Sequence, residues 1–269
     1  MKSKRAFDLL LSAAALLAFL PLLAATAVAV WLSDRHSPFF GGLRAGRAGR
    51  PFRMWKFRSM RPDAWKSGVN STAAGDRRIT RIGRFLRAAK LDELPQLCNV
   101  LAGEMSLVGP RPQVPADVAL YTAEERRLLE ARPGITDLAS IVFSDEGRIL
   151  AGSADPDLLY NQRIRPWKSR LALLSLEHAG LRADAEILWW TAVALFSRPR
   201  ALAGVERLLA RWDADPLLRG VARRTAPLTP YPPPGASEIV AHYPRGKDTA
   251  PQAAPVPPAI APAIEAVSD

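Results

Sequence analysis

Leu9–Leu32 reads LLLSAAALLAFLPLLAATAVAVWL, 24 positions without a charge. At ~1.5 Å per residue a single straight helix would reach ~36 Å, enough to cross a hydrocarbon layer ~30 Å thick. Pro21 lies near the middle, where its missing N–H and its ring work against a continuous helix. Lys2, Lys4 and Arg5 precede the run, and Arg35, Arg44, Arg47 and Arg50 follow it. The positive-inside rule places both flanks on the cytoplasmic side. The expected anchor is therefore a re-entrant helix–break–helix hairpin, with a kinked single span as the alternative. A cleaved signal peptide is not expected, because no small-residue cleavage site leads into a disulfide-bearing domain.

Beyond the anchor, fifteen basic and two acidic residues lie between Arg35 and Lys90, while the whole 269-residue chain carries a net charge of +11. The positive field is local. It suits nucleic acid, anionic lipid or phosphorylated small molecules, and composition alone does not choose among them. One cysteine, Cys98, excludes an internal disulfide framework and reads as a small core residue; His36, His178 and His242 have no zinc-ligand spacing.

Phe39 to Met60 alternates glycine-rich turn chemistry with short aromatic and basic segments and predicts a small β-hairpin. Residues 61–76 read as a polar loop. Ile79, Ile82, Phe85 and Leu86 then recur at helical spacing beside Arg78, Arg81, Arg84 and Arg87, an amphipathic basic helix. Most of these arginines read as solvated surface; Arg87, nearest the acidic pair that follows, is singled out. Thr122 with Glu125 forms a capping box. Ala183–Phe196 is an apolar helix suited either to a core or, through Trp189 and Trp190, to a water–lipid boundary. Eleven of the last 45 residues are proline, a composition that cannot repay its ordering entropy. The expected division is an anchor over 1–34, a catalytic domain over 35–200, a helical extension over 201–224 and a disordered tail over 225–269.

Leu91–Pro112 reads LDELPQLCNVLAGEMSLVGPRP. Pro95 is tolerated in a first helical turn, so Asp92 and Glu93 fall at a helix N-terminus. Acidic residues there often serve only the helix dipole. Here Arg87 and Lys90 stand close by, and such a field keeps a carboxylate ionised and draws in an anion. A carboxylate so placed can attack phosphorus or hold magnesium against a diphosphate. Pro110 and Pro112 stiffen a loop that offers the Arg111 guanidinium to phosphate.

These segments resemble the bacterial sugar transferases, the polyprenyl-phosphate glycosylphosphotransferases or monotopic phosphoglycosyl transferases. The resemblance rests on KRAFD at Lys4–Asp8, PFRMWKFRSM at Pro51–Met60, DRRITRIGRFLR at Asp76–Arg87, the Leu91–Pro112 stretch and RPGIT at Arg132–Thr136, in family order over roughly residues 4–195. It implies a mainly α fold with a small β-hairpin, a monotopic membrane protein with interfacial amphipathic helices and its catalytic domain on the cytoplasmic face of a bacterial inner membrane. It implies Asp92 and Glu93 as the catalytic dyad and Arg87, Arg111, Lys56 and Arg58 as phosphate-binding residues. Magnesium would sit at Asp92, and the partners would be a nucleotide sugar, expected to be a UDP-sugar, polyprenol (undecaprenyl) phosphate and membrane lipids. Asp92 would attack the β-phosphorus and pass a phosphosugar to the lipid, initiating exopolysaccharide, lipopolysaccharide or related glycoconjugate synthesis. A homodimer is left open.

The chain departs from the family pattern at Phe39–Arg44, FFGGLR, and after RPGIT, where Asp137–Ile141 and Tyr160–Lys168 replace the usual glycine, tryptophan and asparagine-rich stretch. Two rival readings remain. In one, a membrane-tethered module uses the basic field alone, with Phe52, Trp55 and Phe57 stacking bases; it needs neither the dyad nor Arg111, and no nucleic-acid partner is expected. In the other, the same fold is an inactive scaffold.

Overall fold

The computed structural model describes residues 2–244. Its elements run α1 (Lys2–Asp34), β1 (Phe39–Ala45), β2 (Pro51–Phe57), α2 (Arg81–Ala88), α3 (Gln96–Ala102), β3 (Ser106–Val108), α4 (Pro115–Ala119), α5 (Ala123–Arg126), β4 (Gly134–Thr136), α6 (Leu138–Val142), α7 (Glu146–Ile149), α8 (Pro156–Arg163), α9 (Arg165–Glu177), α10 (Leu181–Phe196), α11 (Arg198–Arg211) and α12 (Pro216–Arg223).

α1 is helical without interruption through Pro21, so the expected break is not present in the backbone. One lost donor does not end a long apolar helix whose other bonds persist. Ser3–Asp34 is long and apolar enough to cross a membrane, and only 11% of its most apolar stretch is buried. Both of its ends are tied to the globular part. Near the start, Lys4 pairs with Asp184 of α10, and Arg5 Nη1 donates to the Val100 carbonyl at 2.7 Å. Asp8 accepts the Leu107 N–H at 3.2 Å and the Ser106 hydroxyl at 2.8 Å. At the other end the Asp34 carboxylate takes two bonds of 2.6 Å from the Arg58 guanidinium, and Val30 packs with Phe57 and Leu86.

β1 and β2 form the expected hairpin, antiparallel with Phe39 opposite Phe57 and Ala45 opposite Pro51. A second small sheet was not expected: β3 and β4 pair in parallel, Ser106 with Gly134 and Val108 with Thr136. This sheet joins the SLVGPRP and RPGIT segments so closely that a Cβ on Gly134 would stand 2.1 Å from the Gly109 nitrogen. α2 starts at Thr80, whose hydroxyl accepts the Gly83 N–H. It lies against Ser59 so tightly that a Cβ on Gly83 would come within 1.9 Å of the Ser59 carbonyl oxygen.

The main core gathers Val100, Met105, Leu138, Ile141, Leu171 and Leu208. α11 and α12 belong to it through Ala201, Val205, Leu209 and Leu218, so the segment expected as a separate helical extension shares the core of the elements before it. α10 divides its tryptophans: Trp190 packs over Gly204, whereas Trp189 is 64% exposed near Phe196, which is 91% exposed. Cys98 is exposed, contrary to expectation, and the α3 positions turned inward are Gln96, Leu97, Asn99 and Val100.

Residues 225–244, assigned to a disordered tail on composition, lie against the domain. Tyr231 packs on Trp167 with ring centroids 4.4 Å apart, and its N–H donates to the Gln162 carbonyl at 2.9 Å. The Arg170 guanidinium covers Tyr231 and donates to the Pro232 carbonyl, and Tyr243 is buried. Aromatic stacking and carbonyl acceptors do here what aliphatic burial does elsewhere. Residues 245–269 fall outside the described residues.

Candidate active site

Lys90, with φ of 57°, ends the segment after α2 in a left-handed conformation and swings the chain into a single 3-10 turn, Leu91–Glu93. The acidic pair occupies that turn rather than α3 itself, which begins after Pro95. A lysine held at positive φ is mildly strained, a feature that concentrates at functional sites. α3 is fastened to β2 by Asn99. Its amide donates to the Arg53 carbonyl at 2.8 Å, and its Oδ1 accepts the Trp55 N–H at 3.0 Å. This clamp sets the distance between the dyad and Lys56 on β2.

The two carboxylates have unlike surroundings. Glu93 accepts Arg111 Nη1 on Oε2 at 3.3 Å and Arg111 Nη2 on Oε1, and Lys56 Nζ reaches the same Oε1 at 3.0 Å. Burial alone would raise its pKa, but Arg111 and then Lys56 outweigh that and hold the carboxyl well below the ordinary carboxylate range. Asp92 is buried, yet its carboxylate makes no hydrogen bond or ion pair with any described residue. Burial pushes its pKa up, assisted by Glu93; Lys56, Arg87 and Lys90 pull the other way. Lys56 itself is drawn down, chiefly by burial, with Glu93 opposing.

Of the residues expected around a diphosphate, the structure brings Lys56, Arg87 and Arg111 to the dyad. Arg87 Nε donates to the Ser59 hydroxyl at 3.0 Å, and its charge acts on Asp92. Arg58 is not brought there. Its guanidinium is used by Asp34, by the Ser37 carbonyl at 2.7 Å and by the Met60 carbonyl at 3.4 Å. Alternation alone would put the two on one face, and the end of the strand separates them: Lys56 lies within β2 and shares the inward face with Phe52 and Met54, whereas Arg58 lies beyond the end of β2 and turns to Asp34 at the foot of α1. Burial weakens the base-stacking reading, since Phe52 and Phe57 are buried and only Trp55 is open.

Arg44 was missed. It faces Phe52 across the hairpin, and its charge acts together with Arg111, Asp117, Tyr160 and Glu93. Its parity with Lys56, given the hairpin register, was the available signal. Further along the same wall the Tyr160 hydroxyl donates to Gln113 Oε1 at 3.3 Å, and Gln113 reaches the Arg111 carbonyl. Tyr243 and Asn161 hydrogen-bond to Asp117, and Tyr243 also accepts Asn70 Nδ2 at 3.1 Å, so the C-terminal strap meets the 61–76 loop beside this wall. One turn after Asp92, Gln96 is fully buried with neither amide atom bonded. Among the described residues no three His, Cys, Asp or Glu side chains gather into a metal cage.

The bacterial sugar transferase family profile matches residues 1–198. Among curated relatives, a UDP-glucose:undecaprenyl-phosphate glucose-1-phosphate transferase of Caulobacter vibrioides is 42% identical over 164 residues, covering 60% of this chain and 59% of the relative. An undecaprenyl-phosphate glucose phosphotransferase of Komagataeibacter xylinus is 47% identical over 148 residues, 52% of this chain and 28% of the relative. The exopolysaccharide production protein ExoY of Rhizobium meliloti is 40% identical over 154 residues, 52% of this chain and 68% of the relative. The matched region thus spans less than two thirds of the first two of these proteins.

Proposed function

The chain belongs to the bacterial sugar transferase family, and we propose that it transfers a sugar phosphate from a nucleotide-diphosphate sugar to polyprenol phosphate at the cytoplasmic face of the membrane. The observation that carries this reading is the unequal treatment of two adjacent carboxylates: Glu93 is neutralised by Arg111 and Lys56, while Asp92 is left unpaired within the same cationic field. The names of the Caulobacter and Komagataeibacter relatives support undecaprenyl phosphate as acceptor, and the Caulobacter name supports a UDP-sugar as donor.

In this reading Asp92 Oδ attacks the β-phosphorus. A carboxylate–phosphorus bond forms, the bond to the bridging oxygen breaks, and nucleoside monophosphate leaves with that electron pair. The phosphate oxygen of polyprenol phosphate then attacks the same phosphorus and releases Asp92. One diphosphate is exchanged for another, so the site need supply mainly charge neutralisation and alignment. Glu93 serves this by fixing Arg111 and Lys56, and Arg87, anchored on Ser59, adds a further cation. Magnesium fits an unpaired carboxylate completed by substrate phosphates, and held at Asp92 it would offset diphosphate charge.

The anchor is proposed to enter and leave the membrane on one side. Lys4 and Asp34, near opposite ends of α1, are both fastened to the same globular part, which favours this arrangement over a straight crossing. With exposed Cys98 first replaced by serine, cysteines at Ser3 and Ser37 should both react with an impermeant thiol probe from one side; labelling from opposite sides would refute the arrangement.

The activity test uses membranes, labelled nucleotide sugar and polyprenol phosphate. Asp92→Asn should abolish both nucleoside monophosphate release and lipid-linked label. Full activity in that variant would end the nucleophile assignment.

A further inference from the structure

We propose that the hollow bounded by Arg61, Arg77, Arg81 and Arg84 is a cradle for the phosphate of an anionic phospholipid headgroup, separate from the acidic dyad. The hollow has a volume of about 590 Å³ and is also lined by Gly75, Asp76 and Thr80. The four arginine side chains make no hydrogen bond or ion pair with any described residue. The carboxylate among them is already committed: Arg78 Nε holds Asp76 at 3.1 and 3.0 Å, and Arg78 Nη2 holds it at 2.6 Å. Four guanidinium groups around one open space repel each other unless an anion joins them, and phosphate is the anion their planar forks fit best.

The base of the hollow is rigid. Thr80 N–H donates to the Ser59 carbonyl at 3.1 Å, and the close approach of Gly83 to Ser59 locks the first turn of α2 in place. Thr80 caps only the Gly83 N–H, so the Arg81 and Ile82 N–H groups stay available beside the guanidiniums.

The surroundings favour a lipid over a soluble anion. Leu86 and Ile82, on the inner side of α2, pack with Val30 of the apolar helix α1, which places the hollow beside the membrane anchor. Trp65 and Phe85, 73% and 64% exposed, lie on segments flanking it, the kind of residue that settles at a water–lipid boundary. Anionic headgroups are drawn to such juxtamembrane arginines. The dyad uses a different set of cations, Lys56, Arg87 and Arg111, so the cradle does not depend on the transferase reading.

The test is calorimetric titration of the full chain, in neutral detergent, with dihexanoyl phosphatidylglycerol, dihexanoyl phosphatidylcholine and inorganic phosphate. Saturable binding of phosphatidylglycerol is expected, at least about tenfold tighter than either of the others. Combined Arg77→Gln, Arg81→Gln and Arg84→Gln substitution should weaken it about tenfold or more; single Arg81→Glu offers the same reading should the triple variant fold poorly. Equal binding of inorganic phosphate and phosphatidylglycerol would reduce the site to a general anion trap and overturn the proposal, as would unchanged phosphatidylglycerol affinity in both variants.

Discussion

The Arg111 guanidinium grips the Glu93 carboxylate with both Nη groups, and Lys56 takes up one of the same oxygens. The bidentate pair leaves Glu93 little capacity to attack an electrophile and makes it the organiser of two cations. It also isolates Asp92, adjacent in sequence, as the carboxylate with free oxygens. A division of labour between neighbours is thus built from one arginine and one lysine arriving from separate segments.

Lys56 is the foremost charge that lowers the Asp92 pKa against the raising effect of burial. A nucleophilic carboxylate must be ionised, so activity should climb as pH rises through that pKa. Lys56→Met removes the opposing charge, and the acid limb of kcat/KM against pH should move to higher pH. An acid limb that stays in place would show that Lys56 does not act on the titrating group.

The Glu93 carboxyl is held well below its ordinary value in the folded chain. A lowered acid contributes stability that is complete above the unfolded pKa, about 4.3, and is lost as pH falls beneath it toward the folded value. Glu93→Gln should therefore lower the melting temperature at pH 7 and flatten its decline between about pH 4.3 and pH 3. Parallel melting curves for the two proteins would contradict this account of the pair.

Arg58 holds Asp34 at the end of α1 and stands outside the site. Arg58→Met should cost on the order of 2 kcal/mol, the scale of hydrogen bonds to charged groups, with KM for the nucleotide sugar unchanged. A raised KM without a change in melting temperature would place Arg58 among the substrate contacts instead.

Tyr231 fastens the 225–244 segment through Trp167 and Arg170. Tyr231→Ala should lower stability by about 2 kcal/mol and expose the segment to limited proteolysis. Protection equal to that of the unaltered chain would mean the segment is held elsewhere.

Much of the fold is legible in local sequence patterns. The charge-free Leu9–Leu32 run, the glycine-punctuated hairpin and the capping box at Thr122 and Glu125 are local patterns, and local patterns are what sequence spacing reports. Pro21 misled because a propensity against helix was read as a break, although one lost bond is affordable in an apolar helix. Proline content misled for residues 225–244 because the stabilising partners, Trp167 and Arg170, lie some sixty residues upstream.

The sequence by itself determined that an apolar anchor precedes a cationic stretch and an acidic pair, because charge and hydropathy are properties of residues in order. It could not determine which arginine serves which carboxylate. Arg58 and Lys56 are two positions apart, yet one ties down α1 and the other reaches Glu93; Arg44, in a segment that departs from the family pattern, faces the site. Those assignments follow from the hairpin register and from the Asn99 clamp on β2, contacts between distant segments. Coulomb interactions and hydrogen bonds depend on distance in space, and only the tertiary structure supplies that distance.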